Sequence, residues 1–135
     1  MTKMLFLTLC LALAVGTAVA QPAAQSTSPQ KPRAEAKPLV TFVELGSVKC
    51  IPCQQMQPIM ASVEKKYGNQ LSVVFHDVWK SDQRQYAEKY EIRVIPTQVF
   101  LDKDGKEFFR HEGFFPESEI DKLLQKRGLT PRKGD

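Results

Sequence analysis

Cys50-Ile51-Pro52-Cys53 carries more information than any other segment of this 135-residue chain. Two cysteines stand three positions apart, with a proline before the second. An alternating apolar run, Leu39 to Leu45, precedes them, and an amphipathic helical pattern follows. A Cys-x-x-Cys at a strand-to-helix junction is the layout of a dithiol–disulfide exchange site. A helix N-terminus carries free amide N–H groups and a partial positive charge. Both favour a thiolate on the first cysteine, and the thiolate is the nucleophile in exchange. The spacing brings both sulfurs to one helix end, so the second cysteine can resolve a mixed disulfide made by the first. Zinc ribbons use the same spacing, and so do purely structural bridges, so the motif alone leaves three readings open.

The N-terminus bounds the compartment. Lys3 gives a short positive start, Leu5 to Val15 is apolar, and Ala18-Val19-Ala20 offers the small-x-small pattern of signal cleavage. Residues 1–20 therefore read as a secretory signal peptide; the alternative, a membrane anchor, needs about 20 apolar residues. Cys10 lies inside the apolar run after bulky Leu9 and is expected to leave with the signal. Residues 1–20 hold one of the 19 basic residues and none of the 15 acidic ones, so cleavage would leave 115 residues with a formal charge of +3. That charge is too weak to imply nucleic acid as a partner. Cys50 and Cys53 would be the remaining cysteines, whereas disulfide-stapled exported scaffolds carry several pairs, so this pair reads as working rather than structural.

Farther along, residues 21–37 are rich in Pro, Ala, Gln and Ser without hydrophobic period, and read as a flexible linker. Leu39 to Leu45 reads as a strand. Met56, Ile59, Met60, Val63 and Tyr67 fall at helical spacing from Pro52 to Gly68-Asn69, with Pro58 expected to kink the helix. Leu71 to Val78 reads as a buried strand, and Ser81 and Asp82 can cap a second helix running to about Tyr90. Thr97 to Leu101 and Lys106 to Arg110 read as strands joined by the hairpin signal Asp102-Lys103-Asp104-Gly105. Pro116 to Lys126 is a last amphipathic helix with Ile120, Leu123 and Leu124 inward, before a polar tail over residues 129–135. The order is βαβαββα: the first two strands parallel, the last two an antiparallel hairpin. The fold class is α/β, a mixed central sheet flanked by helices in one domain spanning residues 38–128.

With these features in order, the chain resembles the thioredoxin superfamily over about Leu39 to Arg127. The match rests on Cys50-Ile51-Pro52-Cys53 after a strand, Pro58 five residues past the second cysteine, Ile95-Pro96-Thr97 opening a strand, and Gly113 after the hairpin. The resemblance implies a cis Ile95–Pro96 peptide beside the cysteines that presents backbone to an extended substrate strand. It also implies a proton-exchanging carboxyl beneath Cys53, at the position of Glu44, six residues before Cys50. Val40, Phe42 and Glu44 share one strand face, and both faces of a central strand can be buried; the alternative is an exposed strand-end glutamate. The sequence departs from the usual pattern at two points. Lys49 precedes Cys50 where thioredoxins usually carry Trp, adding positive charge or merely a solvated lysine. Ile51 replaces Gly and puts an apolar branch beside the exposed sulfur, narrowing substrate choice. A further strand and helix of full-length thioredoxins give way to the flexible lead.

The resulting expectation is a secreted, bacterial periplasmic thiol–disulfide oxidoreductase, acting mainly as a reductase. Cys50 attacks, Cys53 resolves and Glu44 assists; Ile51, Pro52, Ile95, Pro96 and Gly113 border the substrate. The clients are protein disulfides, apocytochromes among them. Because the envelope is oxidising, electrons would come from a membrane thiol reductase of the cytochrome c biogenesis type. No cofactor, metal or nucleic acid is expected, and a monomer is. His76 and His111 lack zinc-site spacing and read as structural. Trp79 borders the groove or packs; Phe108, Phe109 and Phe115 read as core, and Phe114 as core or groove lining. The alternatives are a disulfide oxidase or isomerase, and a non-catalytic binding or chaperone module with a structural disulfide.

Overall fold

A computed structural model describes residues 37–132, and the proposed signal segment and most of the linker lie outside them. Seven regular elements follow β1 Val40–Gly46, α1 Ile51–Tyr67, β2 Leu71–Asp77, α2 Gln85–Lys89, β3 Thr97–Asp102, β4 Glu107–Glu112 and α3 Glu117–Lys126, with a 3-10 turn at Gly68–Gln70. The four strands form one sheet in the order β2-β1-β3-β4. β1 and β2 pair in parallel, while β1–β3 and β3–β4 are antiparallel. This is the mixed α/β sheet that the element order implies.

β1 is central and loses both faces to the core, which is why its apolar positions run nearly without a break. Phe42 joins α1 and α3 residues in the larger apolar cluster, with Met56, Met60, Val63, Tyr67, Ile120 and Leu124. Val43 and Leu45 point to the opposite face and pack with Val78 and Val99, against Tyr86, Tyr90 and Ile92. On the α1 face Phe42 stacks on Phe100 with centroids 4.7 Å apart, so the cross-strand pair anchors the sheet beneath the helix.

α1 opens on Ile51 and Pro52, where proline's missing N–H costs nothing, and runs on through Pro58. It ends at Gly68, whose φ of 55° suits glycine, and Lys65 and Lys66 occupy its last turn, where cations favour the helix dipole. Lys66 reaches Glu117 and, at 2.7 Å, Asp121, while the Tyr67 hydroxyl donates to Asp121 at 3.0 Å; these contacts fasten α1 to α3.

Three local expectations change. β2 is an edge strand, so five of its seven residues are half-buried rather than buried. Ser81 and Asp82 do not cap a helix: residues 81–84 form turns, and α2 is only five residues long, starting at Gln85. Leu129, at the head of the expected polar tail, is buried in the main cluster. Beyond it the Thr130 amide donates to Gln70 Oε1 and the Arg132 amide to the Lys66 carbonyl.

Candidate active site

The topology gathers four segments at one edge of the sheet. The C-terminal ends of the parallel strands β1 and β2 deliver Gly46–Cys50 and Asp77–Trp79. β3 runs the other way, so its N-terminal end brings Ile95-Pro96 to the same edge, and Thr97 opposite Glu112 brings Gly113 beside them. The Ile95–Pro96 peptide is cis. The Gly113 amide donates to the Pro96 carbonyl at 2.8 Å, and with φ at 92° this position suits glycine. Its N–H therefore holds the proline loop.

Cys50 is the N-cap of α1 and is joined to Cys53 in a disulfide, with Cα atoms 5.2 Å apart. The Cys50 Sγ accepts the Cys53 N–H at 3.3 Å, so one of the helix's unpaired amides already points at the first sulfur. That donor and the dipole favour a thiolate there once the disulfide opens. The two sulfurs differ in access: Cys50 is 9% exposed and Cys53 0%. In this oxidised form Cys50 thus shows only a thin edge, less than a freely accessible thiol would. Ile51 beside it is 72% exposed, and Val48 and Trp79 also lie open. Lys49 is exposed too, and its amide donates to the Ser47 Oγ at 3.3 Å.

Asp77 braces the loop that leads to Cys50. Its carboxylate accepts from the Val48 amide at 3.4 Å and the Trp79 amide at 3.2 Å, and it bonds the Ser47 side chain. Burial pushes its pKa up, but the hydrogen bonds from Ser47, Val48 and Trp79 outweigh this and hold it below the usual carboxylate value. Sequence reasoning missed Asp77. Its signal was a lone acid at the end of an apolar strand.

Glu44 is fully buried, on the α1 face of β1. Gly46, two residues on, faces the same way, and a Cβ there would touch Cys53. Glu44 therefore lies one pleat along β1 from Gly46, the position that Cys53 of α1 packs against. Burial drives its pKa up to about 8, opposed only by the hydrogen bond from Gln98. A buried carboxyl with a pKa raised this far can carry a proton at neutral pH.

Ile95 borders a cleft of about 260 Å³ shared with Val78, Trp79, Ile92 and Val94. His76 stacks on Tyr86 at 3.5 Å, and His111 stacks on Phe115 with Nε2 against the Phe114 carbonyl at 3.1 Å, so both imidazoles are engaged in packing. Phe115 is buried and Phe108 and Phe109 partly so, whereas Phe114 lies open beside Gly113.

The profile of the thioredoxin-like domain family matches residues 27–128. The chain belongs to that family. It is 29% identical to the thioredoxin of Bacillus subtilis over 93 residues, covering 69% of this chain and 86% of that one. It is 34% identical to the chloroplastic thioredoxin Y of Oryza sativa over 82 residues, which span 58% of this chain but only 45% of the rice protein. Among solved structures, the germline-specific thioredoxin Deadhead of Drosophila superposes with a TM-score of 0.59 at 25% identity, covering 69% of this thioredoxin-like chain and 84% of the fly protein. The N21Q thioredoxin of Halobacterium salinarum, at 23% identity, a TM-score of 0.58 and coverage of 67% and 75%, shares the fold.

Proposed function

We propose that this thioredoxin-like protein is a thiol–disulfide oxidoreductase that reduces protein disulfides through Cys50 and Cys53. The observation that carries the proposal is the asymmetry of the pair: a helix-capping sulfur at the surface edge and a fully buried partner above a near-neutral carboxyl. The Cys50 thiolate attacks one sulfur of the client disulfide. That S–S bond breaks, a Cys50–client mixed disulfide forms, and the departing client thiolate takes a proton from solvent. Cys53 then gives its proton to the Glu44 carboxylate and attacks the Cys50 Sγ. The second client sulfur leaves as a thiolate and takes a proton from solvent, and Cys50–Cys53 closes as a disulfide. Two electrons have passed from the dithiol to the client.

Several features support reduction as the working direction. Ile95 before the cis proline and the acid at Glu44 both resemble thioredoxin, and exposed Ile51 and the cleft at Ile95, which Arg93 also lines, offer a mixed border to an extended client segment. The signal-like N-terminus supports a periplasmic location, where a reductant must be recharged by a membrane thiol reductase. Apocytochromes and mis-oxidised envelope proteins are the clients this reading favours, with the protein acting as a monomer. The test is the reduction potential of the Cys50–Cys53 pair against a glutathione series. A value near the thioredoxin range, about −270 mV, supports the reductase; one near about −120 mV would make it an oxidase.

A further inference from the structure

Gln98 stands directly opposite Glu44 across the β1–β3 ladder, and both side chains are fully buried. The next inward pair toward the core is the apolar stack Phe42–Phe100, so a polar pair at this level departs from its surroundings. The Gln98 Nε2 donates to Glu44 Oε1 at 3.4 Å. That bond leaves two buried oxygens, Glu44 Oε2 and Gln98 Oε1, with no partner among the described residues. A carboxylate and an amide can satisfy only one such contact, because both remaining atoms are acceptors. A protonated carboxyl and an amide are complementary: the amide N–H donates to one acid oxygen, and the acid O–H donates to the amide oxygen. One proton on Oε2 therefore provides for both orphaned oxygens at once.

We propose that Gln98 is the positioning residue for the Glu44 proton, closing an acid–amide pair with the protonated carboxyl while the Cys50–Cys53 disulfide is formed. The inference rests on Glu44 acting as the proton relay of the exchange site. Holding Oε1 as the acceptor of the amide N–H places the proton on Oε2. When an incoming thiolate attacks Cys50 and the S–S bond breaks, Cys53 leaves as a thiolate and takes that proton. The carboxylate left behind keeps the Gln98 N–H. In the reverse step Cys53 returns its proton to Oε2 as its sulfur bonds to Cys50. Facing Glu44 are Phe75 from β2, Gln98 from β3 and, one pleat on, Cys53 from α1. Among the described residues, the Gln98 amide is the one side chain that hydrogen-bonds Glu44 in the oxidised protein.

The experiment follows the Gln98 side-chain amide and the Glu44 carboxyl by NMR in the oxidised protein, from about pH 5 to about pH 10. The two signals should move together with one midpoint near 8. In Gln98→Leu the carboxylate loses its amide donor and the acid loses its amide acceptor, which act on the Glu44 midpoint in opposite directions, while resolution of a mixed disulfide at neutral pH should slow roughly tenfold because the proton is no longer held on Oε2. In Gln98→Glu two acids would share one proton and titrate in two separated steps. Amide signals that stay constant through the Glu44 titration would overturn the inference, as would a Gln98→Leu protein with the wild-type resolution rate. The exchange chemistry is judged separately: a wild type inert toward disulfides whose Gln98 and Glu44 still titrate together supports the pair and overturns only the proposed function.

Discussion

A Cβ built on Gly46 would lie 3.2 Å from both the Cβ and the Sγ of Cys53. β1 and α1 thus meet tightly under the buried sulfur, where a methyl fits only if Cys53 gives by a few tenths of an ångström. Gly46→Ala must push α1 away or move the sulfur. It should lower stability by about 1–3 kcal/mol and slow mixed-disulfide resolution. Urea denaturation of the oxidised protein and a single-turnover exchange assay measure the two effects.

Glu44 sets the pH dependence on the alkaline side. Its folded pKa, about 8, lies above the ordinary 4.5, so the folded state binds the extra proton between these values. The stability it contributes is full below about 4.5 and is lost as pH rises through about 8. Glu44→Gln should flatten this slope, leave the oxidised protein more stable by a few kcal/mol above pH ~8, and slow turnover by roughly 10²-fold or more. Denaturation midpoints and pH–rate profiles of the two proteins check this.

Asp77 acts in the opposite direction. Its folded pKa lies below the ordinary 3.8, so its contribution is present above that value and is lost as pH falls through the folded pKa. Asp77→Ala leaves the Val48 and Trp79 amides without their carboxylate. A loss of about 1–3 kcal/mol is expected, together with faster hydrogen exchange at both amides.

Leu129 is 1% exposed in the main cluster. Leu129→Ala should cost about 2–4 kcal/mol, which thermal denaturation would detect and a polar tail would not produce.

Much of this was legible in the sequence because it is local. The nearly unbroken apolar run Val40-Thr41-Phe42-Val43 marked β1, and Met56, Met60, Val63 and Tyr67 marked the buried face of α1. Glu44 was legible through the two-residue strand period, which put it on the face with Phe42. What escaped depends on partners distant in sequence. Gln98 gains meaning only from the β1–β3 register, though a glutamine inside Thr97-Gln98-Val99-Phe100 was a visible anomaly. The half-exposure of β2 follows from its place at the sheet edge, which its Val- and Phe-rich composition does not encode. α2 shrank because the Ser81-Asp82 signal is absorbed in turns, where the Gln83 side chain instead accepts the Asp77 amide at 3.1 Å. The Gly113 amide's bond to the Pro96 carbonyl likewise becomes visible only once the strands are paired.

The two thiols should also differ in reactivity. Cys50 sits at the surface edge on the helix cap and Cys53 is wholly buried. In the reduced protein near neutral pH, Cys50 should alkylate at least about tenfold faster. Timed labelling with mass spectrometry resolves the two sites, and equal rates would contradict the assigned roles.

The most direct measurement mixes the reduced protein with a disulfide-bonded protein substrate and follows the adducts by mass spectrometry. The wild type should reduce one client disulfide per Cys50–Cys53 pair and finish as the intramolecular disulfide. Cys53→Ser should stop at a mixed disulfide through Cys50, and Cys50→Ser should form none. A reduced wild type that leaves the client disulfide intact, or a Cys53→Ser protein that traps no more client than the double variant, would contradict an exchange site built on this pair.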